Sequence, residues 1–158
     1  MRQAGSINQA LKFMGVTLLE VMLMLLVTGL VIFMSIRYYG YAIAHQQADA
    51  VIGEIQSITA AADNLSQGTD SYAGSVSTSS IEPVVPVHGM TTPWGGDIKI
   101  TGATDSSYTV TIYLMPAQIC HLIKARLSSN AQFNVTATTC PATGVVDFTY
   151  TFSHIINN

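Results

Sequence analysis

Between Val16 and Ile36 the chain carries one charged side chain, Glu20, in a run otherwise built from apolar residues with Thr17, Thr28, Gly29 and Ser35. As a helix rising 1.5 Å per residue, this run extends roughly 30 Å, about the thickness of the hydrocarbon core of a bilayer. A membrane helix is therefore the first expectation. A carboxylate near its start is costly in lipid and calls for a partner or a function that offsets the cost.

The 158 residues leave room beyond this run for one modest domain with a single core. Charged residues make up only 9% of the chain, against about 25% in ordinary soluble domains, and Ser, Thr, Ala and Gly fill the polar positions. Such a surface suits packing against copies of itself. The net charge is −3, and the six Lys and Arg residues are scattered from Arg2 to Arg126 without forming a basic patch, so no nucleic-acid binding is expected. Cys120 and Cys140 both lie beyond the apolar run, which reads most simply as one disulfide in an oxidising compartment. A loop closed between them contributes about 3 kcal/mol by chain entropy.

Residues 1–15 hold Arg2 and Lys12 and no acid, as in a short cytoplasmic leader whose positive charge sends the following segment across the membrane. A secretory signal places its small-residue junction after the apolar run. Here Met14-Gly15-Val16 precedes it, so the apolar segment survives processing; an uncleaved signal anchor is the alternative. Tyr38, Tyr39 and Tyr41 follow Arg37 where the run ends, suiting either a membrane interface or aromatic packing at the base of a domain.

Ala44, Ala48, Val51, Ile55, Ile58, Ala62 and Leu65 recur at steps of three and four, an amphipathic stripe that continues the helix over 37–65. No proline precedes Pro83, so one helix from about Val16 to Leu65 is expected, roughly 75 Å long. Residues 66–96 turn to Ser, Thr, Gly and Pro and read as a long connection, a partly ordered surface loop with room for a short helix or strand near Ile81 to Val87. Over 97–158, Ile98 and Ile100, then Tyr108, Val110, Ile112 and Leu114, alternate with polar residues, and so do Phe133, Val135 and Ala137, and Val146, Phe148, Tyr150 and Phe152. Between the two pairs of strands, Pro116 suits the first turn of a helix with Ile119, Leu122, Ile123 and Leu127 on its apolar face. The expected fold class is α+β: a long N-terminal helix, apolar in its first half, packed by its C-terminal half on an antiparallel sheet.

The segment Lys12-Phe13-Met14-Gly15-Val16-Thr17-Leu18-Leu19-Glu20 resembles the processing site of type IV prepilins and related pseudopilins. In that family a membrane peptidase cuts after the glycine and methylates the new N-terminus. The resemblance implies a cut between Gly15 and Val16 and puts Glu20 at the family's acidic position. Val16 in place of the frequent phenylalanine and a 15-residue leader make the site more similar to the type IVb branch. Thr91-Thr92-Pro93-Trp94-Gly95-Gly96, followed by strands and a cysteine-bounded C-terminal region, resembles type IVb pilins of the conjugative thin-pilus kind. What the family implies is a pilin-like fold and a homo-oligomeric helical filament used for adhesion or conjugation. Its partners are the prepilin peptidase, the pilus assembly machinery and, before assembly, the bacterial inner membrane.

Physically, the free amino group at Val16 of one subunit would neutralise Glu20 of a neighbour, removing an unpaired charge from among apolar helices and setting the register. The alternative is a Glu20 that snorkels to the headgroups. A reactive thiol beside His121 competes with the disulfide, but no Cys/His/Asn arrangement accompanies it. His45, His88, His121 and His154 are too widely spaced for a ligand pair, so no metal is expected. Pro93-Trp94-Gly95-Gly96 reads as a turn anchored by its indole, with a ligand platform as the alternative. No catalytic set and no cofactor site is found, and a structural subunit is expected in preference to an enzyme. A minor pilin or type II secretion pseudopilin, or a membrane-anchored adhesive binding protein, would share the same processing site.

Overall fold

The computed structural model of the chain describes residues 17–85, 90–136 and 138–154. The leader and its junction, including Lys12, Gly15 and Val16, lie outside the described residues, as do His88 and Ala137. The fold is α+β. A 49-residue helix, α1 (Leu18–Ser66), is followed by the single turn α2 (Thr78–Ile81), strands β1 (Ile98–Ala103) and β2 (Ser107–Pro116), helix α3 (Ala117–Leu127), and strands β3 (Phe133–Asn134) and β4 (Val145–Ser153). The chain divides into two compact units, one ending at Ala42 and the other beginning at Ile43.

In the first unit the N-terminal residues of α1 are exposed all round, and two of its hydroxyls donate back into the helix. The hydroxyl of Thr28 donates to the Met24 carbonyl at 2.7 Å and that of Ser35 to the Val31 carbonyl at 2.8 Å, so neither presents a free donor outward.

In the second unit α1 becomes amphipathic. Ala44, Ala48, Val51, Ile55, Ile58, Ala61 and Ala62 are buried at helical spacing, and Leu65 is half-buried. They share one core with the inner face of an antiparallel four-stranded sheet of order β1-β2-β4-β3. On β2 and β4, Tyr108 stands opposite Phe152, Val110 opposite Tyr150 and Ile112 opposite Phe148, and all six are buried. An aromatic seam runs along the sheet: Tyr108 and Phe152 have ring centroids 5.2 Å apart, as do Phe133 and Phe152. Burying each such large side chain is worth about 1.5–3 kcal/mol. The Tyr108 hydroxyl reaches back to the Thr59 hydroxyl on α1 at 3.1 Å, and Arg126 on α3 pairs with Asp49 on α1.

Three local features depart from the alternating pattern of the sequence. A bulge between Ile112 and Met115 turns Leu114 outward at φ 57° and buries Met115 in its place. Leu114 donates its N–H to the Asp147 carboxylate at 3.2 Å. Strand β3 ends at Asn134, where its side chain accepts from the Thr136 N–H and hydroxyl and turns the chain. The connection over 66–96 also contributes to the core, burying Tyr72, Val76, Ile81 and Val85, with α2 begun by Ser77, whose hydroxyl accepts from the Ser80 N–H.

Glu54 is a half-buried acid on α1 whose Oε2 is enclosed without a hydrogen-bond partner, and burial pushes its carboxyl up to about 7. The folded state therefore favours the protonated form. The destabilisation is absent below the ordinary value of 4.5 and grows as pH rises towards 7. Glu54→Gln is expected to gain stability over the parent progressively across that window and to run parallel to it outside. Unfolding midpoints that differ by a constant amount from about pH 4 to about pH 8 would contradict this.

Candidate assembly surface and disulfide-bounded region

Residue Thr17 and the first turn of α1 form a cap. The Thr17 carbonyl accepts from the N–H groups of Glu20 at 2.8 Å and Val21 at 3.2 Å, and its hydroxyl accepts from Glu20 at 3.4 Å. Thr17-Leu18-Leu19-Glu20 is thus a threonine with an acid three residues on, the signature of a capping box. An acid in the first turn also faces the positive end of the helix dipole. This local reason for Glu20 is separate from any partner on another subunit. Its signal in the sequence is the Thr-x-x-Glu spacing.

Beyond the cap, α1 is long and apolar enough to cross a membrane by length and composition, and among the described residues nothing buries that stretch. Leu26 is 70% exposed and Phe33 61%. The Arg37 guanidinium lies 5.4 Å over the Phe33 ring, and Tyr38 and Tyr39 are exposed after it. A cation over an aromatic ring followed by exposed tyrosines is compatible with the edge of a lipid layer.

The structure joins Cys120 on α3 to Cys140, with Cα atoms 5.7 Å apart. Two further links run the same way: the His121 ring bonds the Pro141 carbonyl at 3.3 Å, and the Lys124 ammonium donates to the Thr138 carbonyl. Residues 138–141 are thereby held against α3 at three points. The Trp94 turn is anchored as well. Its indole N–H donates to the Tyr113 carbonyl at 3.3 Å, and a Cβ at Gly96 would stand 2.1 Å from that same oxygen, so only glycine fits there.

A cavity of about 320 Å³ opens at the C-terminal end of α1, lined by Asp63, Asp70, Asp105 and His154 among others. Its acids are partly committed: Asp63 accepts from the Tyr72 hydroxyl at 2.7 Å and Asp105 from the Ser71 hydroxyl at 2.9 Å. Burial and the Asp63 carboxylate both push the Tyr72 hydroxyl above its ordinary range, so it acts as a donor. Among the described residues no group of His, Cys, Asp or Glu is arranged to hold a metal ion.

Comparison with known families, curated proteins and solved structures finds no match to this chain.

Replacing both cysteines by serine is expected to lower the unfolding free energy by about 3 kcal/mol, read from chemical denaturation of the detergent-solubilised chain. Coincident denaturation curves for the parent and the double variant would contradict a stabilising role.

Proposed function

We propose that this chain is a structural subunit of a type IVb-like pilus. It is made as a precursor held in the bacterial inner membrane, cut between Gly15 and Val16 by a prepilin peptidase, and taken up by the assembly machinery into an extracellular filament. One observation carries the reading: the apolar side chains of α1 from Leu18 to Ile36 are exposed on every side, directly after a capped first turn that bears the single acid. A surface of that kind needs lipid around it, and copies of the same helix supply an equivalent environment once lipid is left behind. In this account Glu20 pairs with the amino group of Val16 on a neighbouring subunit, while residues 43–154 supply the filament's outer surface. No catalytic step and no cofactor is assigned.

A minor pilin or pseudopilin rests on the same observation and differs in abundance within the filament. The cavity beside Asp63 is the feature that a membrane-anchored adhesive protein would use.

The charge and the side-chain size of Glu20 are separable by substitution. Glutamine keeps the size and hydrogen-bonding capacity of the side chain but removes the charge, whereas alanine removes both. Breaking a buried ion pair costs about 3–5 kcal/mol, so filament yield is expected to fall by more than about tenfold for both Glu20→Gln and Glu20→Ala, with leader cleavage intact. Filaments at normal yield from Glu20→Gln would sink the pairing role.

A further inference from the structure

Open sheets expose rows of unpaired N–H and C=O groups at their edges, and such edges recruit strands from other chains. On each side of this sheet a threonine hydroxyl answers one outward-facing strand residue. At β1, Ile98 donates to the Met90 carbonyl at 2.9 Å; at Ile100, the next outward-facing residue, the N–H donates to the Thr78 hydroxyl at 3.0 Å, which donates in turn to the Ile100 carbonyl at 3.5 Å. On the opposite side β3 covers only Thr151 and Phe152 of β4. The next outward-facing residue, Thr149, donates its N–H to the Thr138 hydroxyl at 2.8 Å and accepts from that hydroxyl at 2.9 Å. A hydroxyl is both donor and acceptor, so one threonine answers both backbone groups of one strand residue, as a neighbouring strand would.

We propose that Thr78 and Thr138 are edge seals that prevent a second copy of the chain from adding a strand to this sheet. The inference stands on the hydrogen bonds of residues 43–154 and is independent of the pilus reading. The two seals are mounted differently. Thr78 opens the short helix α2, whereas Thr138 lies two residues before Cys140 and has its carbonyl held by Lys124 of α3. The disulfide therefore holds the Thr138 seal and has no part in the Thr78 seal. With few charges available to guard its edges, the chain uses hydroxyls for that purpose.

The test compares Thr78→Val, Thr138→Val, both valines together and the matching serine variants, all as full chains in detergent. Losing one such bond corresponds to about tenfold faster amide exchange. That change is expected at Ile100 for Thr78→Val alone and at Thr149 for Thr138→Val alone, with serine behaving as the parent. The double valine chain is expected to form thioflavin-binding multimers as its concentration rises. Unchanged exchange at Ile100 and Thr149, serine variants that behave like valine, or a double valine chain as dispersed as the parent would each overturn the proposal. If the valine chains do not fold, reduction of Cys120–Cys140 in the unaltered chain decides. Faster exchange at Thr149 with Ile100 unchanged supports the seal, and retained protection at Thr149 overturns it.

Discussion

An apolar surface that the chain does not bury is the constraint on which the rest depends. From Leu18 to Ile36 the helix satisfies its backbone and its hydroxyls internally and leaves its hydrocarbon outward. Water is a poor solvent for such a surface, so it has to be covered by lipid or by protein of similar character. The Thr17–Glu20 cap stands at one end and Arg37 with its tyrosines at the other, which gives the segment defined limits. The second unit has its own core.

That second unit is built with very few charges, and hydroxyls take over much of the polar work. On the outer face of the sheet, the hydroxyls of Thr109 and Thr151 bond at 3.1 Å and those of Thr111 and Thr149 at 3.2 Å, directly across the β2–β4 pair. The Thr92 hydroxyl accepts from the Gly96 N–H and donates to its carbonyl, closing the tryptophan turn in the manner of Thr78 and Thr138 at the sheet edges. Mutually bonded hydroxyls cost less to desolvate than charged groups.

Much of the fold was legible in the sequence because two periods dominate it. The stripe from Ala44 to Leu65 and the alternation along Tyr108–Ile112 and Phe148–Phe152 each have one buried face, and burial selects the period. Leu114 escaped because a bulge inserts a residue without altering composition; nothing in Tyr113-Leu114-Met115-Pro116 marks which side chain turns out. The part played by Tyr72, Val76, Ile81 and Val85 in the core was hidden since they are spaced irregularly among Ser, Gly and Pro, with no repeating period to betray them. Thr138 was hidden too, because its ladder-like bonding is a tertiary contact that replaces an expected strand. Of the candidate site, the apolar run and the cysteine pair were plain, while the cap on Glu20 lay in a spacing that admits two explanations.

Under the proposed processing, the mature chain begins four residues before Glu20. The most direct measurement is mass spectrometry of the N-terminal peptide of the protein recovered from its native host. The account predicts a chain that begins at Val16 and carries a methylated α-amino group. A chain that still begins at Met1, or one cut beyond Ile36 so that the apolar segment is lost, would contradict it.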